Sequence, residues 1–117
     1  MSNNLNTDRS TPAPHEPLPG EIVKLTAYRL QLVAKTQRIA LLEALTHGEA
    51  GVQELADLLE LPHQNVSYHL TLLWQAGILS RRCEGTTNLY AMEDWSAWWV
   101  VDQVVRQVRA GQDEQGA

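Results

Sequence analysis

A mainly α protein with one β-hairpin near its C-terminal end, in the order α-α-α-α-β-β-α, is predicted by three features of the sequence. Apolar residues recur at three- and four-residue spacing from about residue 21 to residue 76, two short strand-like runs follow Gly77, and Asp94 opens a last amphipathic run. A short helix directly before a longer one, with a hairpin after it, is the layout of a winged helix-turn-helix.

Composition bounds what this fold does. The chain has 117 residues, room for one core, and its 44% hydrophobic content is that of a globular protein. No apolar run approaches the roughly 18 to 20 residues that span a bilayer, and the N-terminus lacks a basic-then-apolar leader pattern. A soluble cytoplasmic protein with no membrane partner is expected. Cys83 is the single cysteine, so an intrachain disulfide is excluded. The net charge of −5 runs against nucleic-acid binding, yet it is unevenly spread. Lys24, Arg29, Lys35 and Arg38 face only Glu21 over residues 20–38, whereas Arg81 and Arg82 meet Glu54, Asp57, Glu60 and Glu84 over 53–90.

The elements follow in order. Residues 1–19 carry Pro12, Pro14, Pro17 and Pro19 among Asn, Ser and Thr and read as a disordered arm. A domain over 20–110 begins with a helix at about Glu21–Ala34, with Ile22, Leu25, Leu30 and Val33 as its candidate buried side. A second helix, Thr36–His47, has Ile39, Leu42 and Leu45, and Gly48 and Gly51 end it. The third, Gln53–Glu60, carries Leu55, Leu58 and Leu59. Pro62 fits the first turn of a fourth, which Gly77 stops. Strands at 78–83 and 87–92 flank a turn at 84–86, Asp94 is a good N-cap for a helix over Trp95–Arg109, and 111–117 is expected to be a flexible tail.

The fourth helix carries the chemistry. Val66, Leu70 and Leu73 share one side, and Gln64, Ser67, Tyr68, Thr71 and Gln75 form a polar stripe on the other. None of the five is charged. Neutral donors and acceptors suit base edges and phosphate oxygens, whereas a solvated face more often mixes Lys with Glu. An ordinary amphipathic pair inside an all-α domain shows the same stripe; the hairpin downstream favours DNA.

The run Val52-Gln53-Glu54-Leu55-Ala56-Asp57-Leu58-Leu59-Glu60-Leu61-Pro62, then Val66-Ser67-Tyr68-His69-Leu70, then Leu73-Trp74-Gln75-Ala76-Gly77-Ile78-Leu79, strongly resembles the ArsR/SmtB family of winged-helix repressors. Arg81-Arg82-Cys83-Glu84-Gly85 and Tyr90 resemble its wing, so the resemblance covers about residues 36–92. It implies a homodimer on a palindromic double-stranded DNA operator. The DNA-binding positions it implies are His63, Gln64, Asn65, Ser67, Tyr68, His69 and Thr71, with Arg81, Arg82 and Thr86 in the wing. Two departures stand out: the wing tip carries little positive charge, and Thr71 sits where Lys or Arg is common.

The family's metal sensors use cysteines in the helix before the recognition helix, or Asp and His along the terminal helix. Glu54–Leu58 has no thiol and Asp94–Gln103 no histidine, so no metal of these kinds, and no cofactor, is expected. His15 and His47 read as solvated residues, and Cys83 as a small buried residue or, alternatively, the switch of a redox-responsive repressor. Trp95, Trp98, Trp99, Val101 and Val105, with Leu25, Leu30 and Val33, offer an apolar two-fold interface, which matches the family's dimerisation by first and last helices. A small-molecule pocket among the tryptophans is the lesser reading. No nucleophile elbow, phosphate loop or zinc-protease helix is present, so an enzyme is not expected. A sequence-specific repressor leads; a winged-helix protein acting through a protein partner, with weak DNA affinity, is the alternative that the acidic helix-turn-helix favours.

Overall fold

The computed structural model describes residues 16–116, and the side chains through residue 113. The arm expected over 1–19, with His15, lies largely outside the described residues. Among the described residues, five helices and three strands run α1 (Gly20–Val33), α2 (Thr36–Leu45), β1 (Ala50–Gly51), α3 (Val52–Leu59), α4 (His63–Gln75), β2 (Leu79–Glu84), β3 (Thr87–Met92) and α5 (Trp95–Gly116).

The core forms where the apolar faces of α2, α3 and α4 meet the base of the hairpin. Leu41, Leu42, Leu45, Leu55, Val66, Leu70, Leu73, Ile78 and Leu79 are its fully enclosed side chains. Burying side chains of this size stabilises by roughly 1.5–3 kcal/mol each before entropy is counted. The hairpin is antiparallel, with Arg81 opposite Tyr90 and Glu84 opposite Thr87. Its two-residue loop, Gly85-Thr86, needs the left-handed backbone that glycine adopts freely, and Gly85 has φ +66°.

Strand β1 was not anticipated. Its two residues pair with Tyr90 and Leu89, making a three-stranded sheet of order β1-β3-β2. Two residues are too few to show alternation, and the glycines there read only as punctuation. Gly51 sits where a Cβ would lie 3.4 Å from the Thr87 methyl and 3.5 Å from Leu89. The turn between α3 and α4 holds Glu60 at φ +55°, a conformation costing a non-glycine residue about 1–2 kcal/mol. The Leu61 N–H donating to the Ala56 carbonyl at 3.0 Å helps hold it there.

Several boundaries differ from expectation. Pro62 is the N-cap of α4 rather than its first residue, and His47 lies beyond α2. The tail expected from 111 is corrected: α5 continues to Gly116. One glycine costs a helix only about 1 kcal/mol, and no proline follows Gly111 to stop it. Ile22, Leu25 and Leu30 are not buried within the chain; only Val33 of the expected α1 face is, together with Leu32. No helix among the described residues is long and apolar enough to cross a membrane.

Candidate nucleic-acid interface

Helix α4 is anchored by Val66, Leu70 and Leu73, each with no exposed surface. At 3.6 residues per turn the stripe of 64, 67, 68, 71 and 75 must then face outward. Gln64, Tyr68 and Gln75 are exposed, Ser67 and Thr71 half-buried, and His63 and Asn65 are exposed in the first turn. No side chain caps that turn and none of its residues is acidic; the Asn65 and Val66 amides donate to the Pro62 carbonyl, which leaves those of His63 and Gln64 to a phosphate oxygen.

His69, also expected as a DNA contact, departs from the stripe. Both ring nitrogens bond within the protein: Arg38 Nε donates to Nδ1 at 3.0 Å, and Nε2 lies 2.8 Å from Gln37 Oε1. The spacing held the signal, since His69 is three residues after Val66 and four before Leu73, on the buried side of the helix. Arg38, Gln37 and Trp74 were missed as well. Arg38 precedes Leu41, Leu42 and Leu45 by three, four and seven residues, which placed it on the buried face of α2.

The wing carries less available charge than its sequence suggests. The Arg81 guanidinium stacks 3.5 Å from the centre of the Trp74 ring, a cation–π contact that draws it toward α4. Arg82, also expected at DNA, is paired within the chain. Its Nε meets Glu49 Oε2 at 3.0 Å, a second nitrogen meets Oε1 at 2.5 Å, and Glu84 lies at 3.5 Å. The hydrogen bond from Arg82 holds the Glu49 carboxyl below its ordinary range, and the same bond raises the guanidinium. Thr86 is exposed at the tip. Cys83, expected to be buried, is exposed, with its Sγ donating to the Gly85 carbonyl at 3.2 Å.

Two of the four cations at 20–38 are likewise engaged within the chain, while Lys24 and Lys35 stay exposed. Arg38 is buried and donates to the Leu32 carbonyl at 2.9 Å. Arg29 donates to the Ala76 carbonyl at 3.0 Å and pairs with Asp94 at 2.6 Å. Asp94 caps α5 as expected, accepting from the Ser96 N–H at 3.0 Å. Hydrogen bonds from Ser96 first, then Arg29, hold its carboxyl below its usual value.

Among the described residues no three His, Cys, Asp or Glu side chains gather around a common point. The carboxylates at the positions resembling family sites have protein partners: Glu54 the Gly51 N–H, Asp57 the Gln53 amide, and Asp102 Arg106 at 3.0 Å.

On the opposite side, α1 and α5 form an apolar groove of about 500 Å³, with Val33 and Val101 at its floor and Leu30, Val104 and Val108 on its walls. Of the residues expected at a dimer contact, Leu25, Leu30, Trp95 and Trp99 are exposed. Val33 and Val101 are instead buried in the chain's own core, and Trp98 and Val105 pack against it. Ile22, Tyr28, Val104 and Val108 are further exposed apolar residues on the same two helices.

The family described as a helix-turn-helix domain matches residues 37–82, from α2 through the middle of β2. The chain is 33% identical over 97 residues to the HTH-type transcriptional regulator KmtR of Mycobacterium tuberculosis, covering 82% of this chain and 75% of that one. Its fold is similar to that of the AntR antimony-specific transcriptional repressor, with a TM-score of 0.79, 20% identity, and coverage of 91% of this chain and 96% of that one. It is likewise similar to the homodimeric winged helix-turn-helix domain of Mb0332 from Mycobacterium bovis, a possible ArsR-family regulator, with a TM-score of 0.66, 23% identity, and coverage of 86% and 92%. With the exposed neutral stripe on α4 and the hairpin beside it, the 33% identity to KmtR and, over 97 residues as well, to the HTH-type transcriptional repressor SmtB of Mycobacterium tuberculosis identifies the chain as a member of the ArsR/SmtB family of DNA-binding winged-helix transcriptional regulators, which are not enzymes.

Proposed function

We propose that the protein is a sequence-specific repressor that acts in the cytoplasm as a homodimer on a two-fold-symmetric DNA operator, without a metal site of the family's known kinds. The observation that carries this reading is the outward, uncharged row on α4, held in place by three enclosed apolar anchors. In a dimer, two such helices enter successive major grooves about 34–36 Å apart. Gln64 and Ser67 read base edges, Tyr68 and Thr71 contact bases or sugar–phosphate, and the α4 N-terminus, Arg81 and Thr86 hold the backbone. The apolar α1–α5 face supplies the dimer contact, and the homodimeric state of Mb0332 supports it.

The test is a mobility-shift competition with the operator found by selection from random duplexes. Gln64→Ala with Ser67→Ala is expected to lower discrimination against nonspecific DNA about 30-fold or more, at roughly 1–3 kcal/mol for each of the two lost base contacts. Dimer mass should not change. Unaltered discrimination would remove α4 from the readout. A second reading, action through a protein partner, is favoured by the internal pairing of Arg29, Arg38 and Arg82. No duplex binding even at low salt, alongside a stable complex with another protein, would select it.

A further inference from the structure

Arg38 is the buried charged residue among the described residues, 7% exposed, and DNA contact gives it no role. Its guanidinium joins three elements: one nitrogen donates to the Leu32 carbonyl near the end of α1, and Nε donates to His69 on α4. An arginine has no acceptor, so Nδ1 of His69 presents its lone pair. The proton of the neutral ring is therefore on Nε2, which donates to Gln37 Oε1 at 2.8 Å. Tyr68, the most outward aromatic of the stripe, rests edge-on against this ring with centroids 5.4 Å apart.

We propose that Arg38, Gln37 and the neutral Nε2–H form of His69 are positioning residues that fix the rotation of α4, so that DNA binding depends on this three-residue relay. The proposal deepens the operator-binding reading and rests on it. A second proton on His69 would sit on Nδ1 and point at the Arg38 N–H, replacing a hydrogen bond with two facing donors and two like charges. The groups around the ring agree. Arg38 comes from α2 and Lys35 from the α1–α2 junction, while α1 adds only the Leu32 carbonyl to the network. These two cations are the charges that act on the ring. Burial first, then Arg38 and Lys35, push the imidazole below its ordinary 6.5. The positioned helix thus binds fewer protons than a released one, and acid favours release.

The test compares wild type with His69→Gln, whose amide can accept from Arg38 and donate to Gln37 at every pH. Operator affinity is measured from pH 8.0 to 5.0, and the ratio of the two proteins removes whatever pH dependence they share. At pH 8.0 the two should bind within a few-fold of each other. Toward pH 5.0 the wild type should lose about threefold or more relative to the variant, because only the wild type takes up a proton on release. Arg38→Met should bind at least about tenfold more weakly at every pH with unchanged dimer mass, since it leaves His69 without its donor. A pH-independent ratio would overturn the relay. If either variant fails to fold, ring ¹⁵N shifts of the wild type decide instead: an Nδ1–H or charged ring at pH 7 overturns it, and an Nε2–H ring upholds it. If the wild type binds no duplex at any pH, the operator reading fails, while the same shifts still judge the network.

Discussion

Helix α4 buries Val66, Leu70 and Leu73 and turns Gln64, Tyr68 and Gln75 outward, whereas α5 buries Ala97 and Val101 and turns Trp95, Trp99, Val104 and Val108 outward. Both obey the same period toward the interior, and their outer faces differ in kind. A neutral polar row loses little in water and offers donors and acceptors to a polar partner. An apolar row with a groove beside it leaves surface that water does not satisfy, and a second protein surface covers it best. The outer face of a helix in this fold therefore names the class of its partner, once the inner face has been assigned.

Placing charge on the apolar side should break that division most severely. Leu30→Glu with Val104→Glu puts two carboxylates into the α1–α5 groove, and light scattering should show a monomer with helical content retained. Because one protomer then holds one half-site, operator affinity should fall about 100-fold or more. A variant that stays dimeric would move the interface elsewhere, to the Trp95–Trp99 side for instance.

A smaller effect should come from the charge economy of the DNA side. Glu49→Ala releases Arg82 from its closest partner, leaving Glu84 at 3.5 Å. Affinity for any duplex should rise several-fold at low salt, and the salt dependence should steepen by roughly one unit per protomer. Titrations at three salt concentrations check this. An unchanged slope would mean that Arg82 does not reach phosphate even when free.

Much of this was legible in the residues. The helices followed from apolar spacing, the cap from Asp94, and the outward row from the i, i+3, i+4 series of α4. What failed had local causes. Strand β1 exists only through pairing with Tyr90 and Leu89, and no period shows in two residues. The cations at 20–38 looked like a patch because a linear count ignores partners: folding buries Arg38 and ties the exposed Arg29 to Asp94. His69 was assigned from a motif that implied the DNA side, although its helical position placed it with Val66 and Leu73. The split between dimer face and core along α5 depended on which neighbour α1 covers, which no single-helix pattern contains.

The two sides are joined by one exposed strut, and it supports the smallest prediction. Arg29 of α1 reaches both the Ala76 carbonyl at the end of α4 and Asp94 at the start of α5. Asp94→Asn keeps a side chain that caps helices about as well while removing its charge, so it isolates the ion pair from the cap. Arg29 and Asp94 are 44% and 30% exposed at the side chain, and screening limits such a pair to at most about 1 kcal/mol. The sign in acid follows from the direction in which the pKa moves. Folding lowers the Asp94 pKa from its usual 3.8, so its contribution is present above about pH 4 and is lost as pH falls through the lowered folded value. Urea midpoints of wild type and variant should therefore differ slightly at pH 7 and converge in strong acid. A gap that persists at low pH would assign the effect to the cap rather than to the charge, and the link between the α4 and α5 sides would then rest on the Arg29 bond to the Ala76 carbonyl.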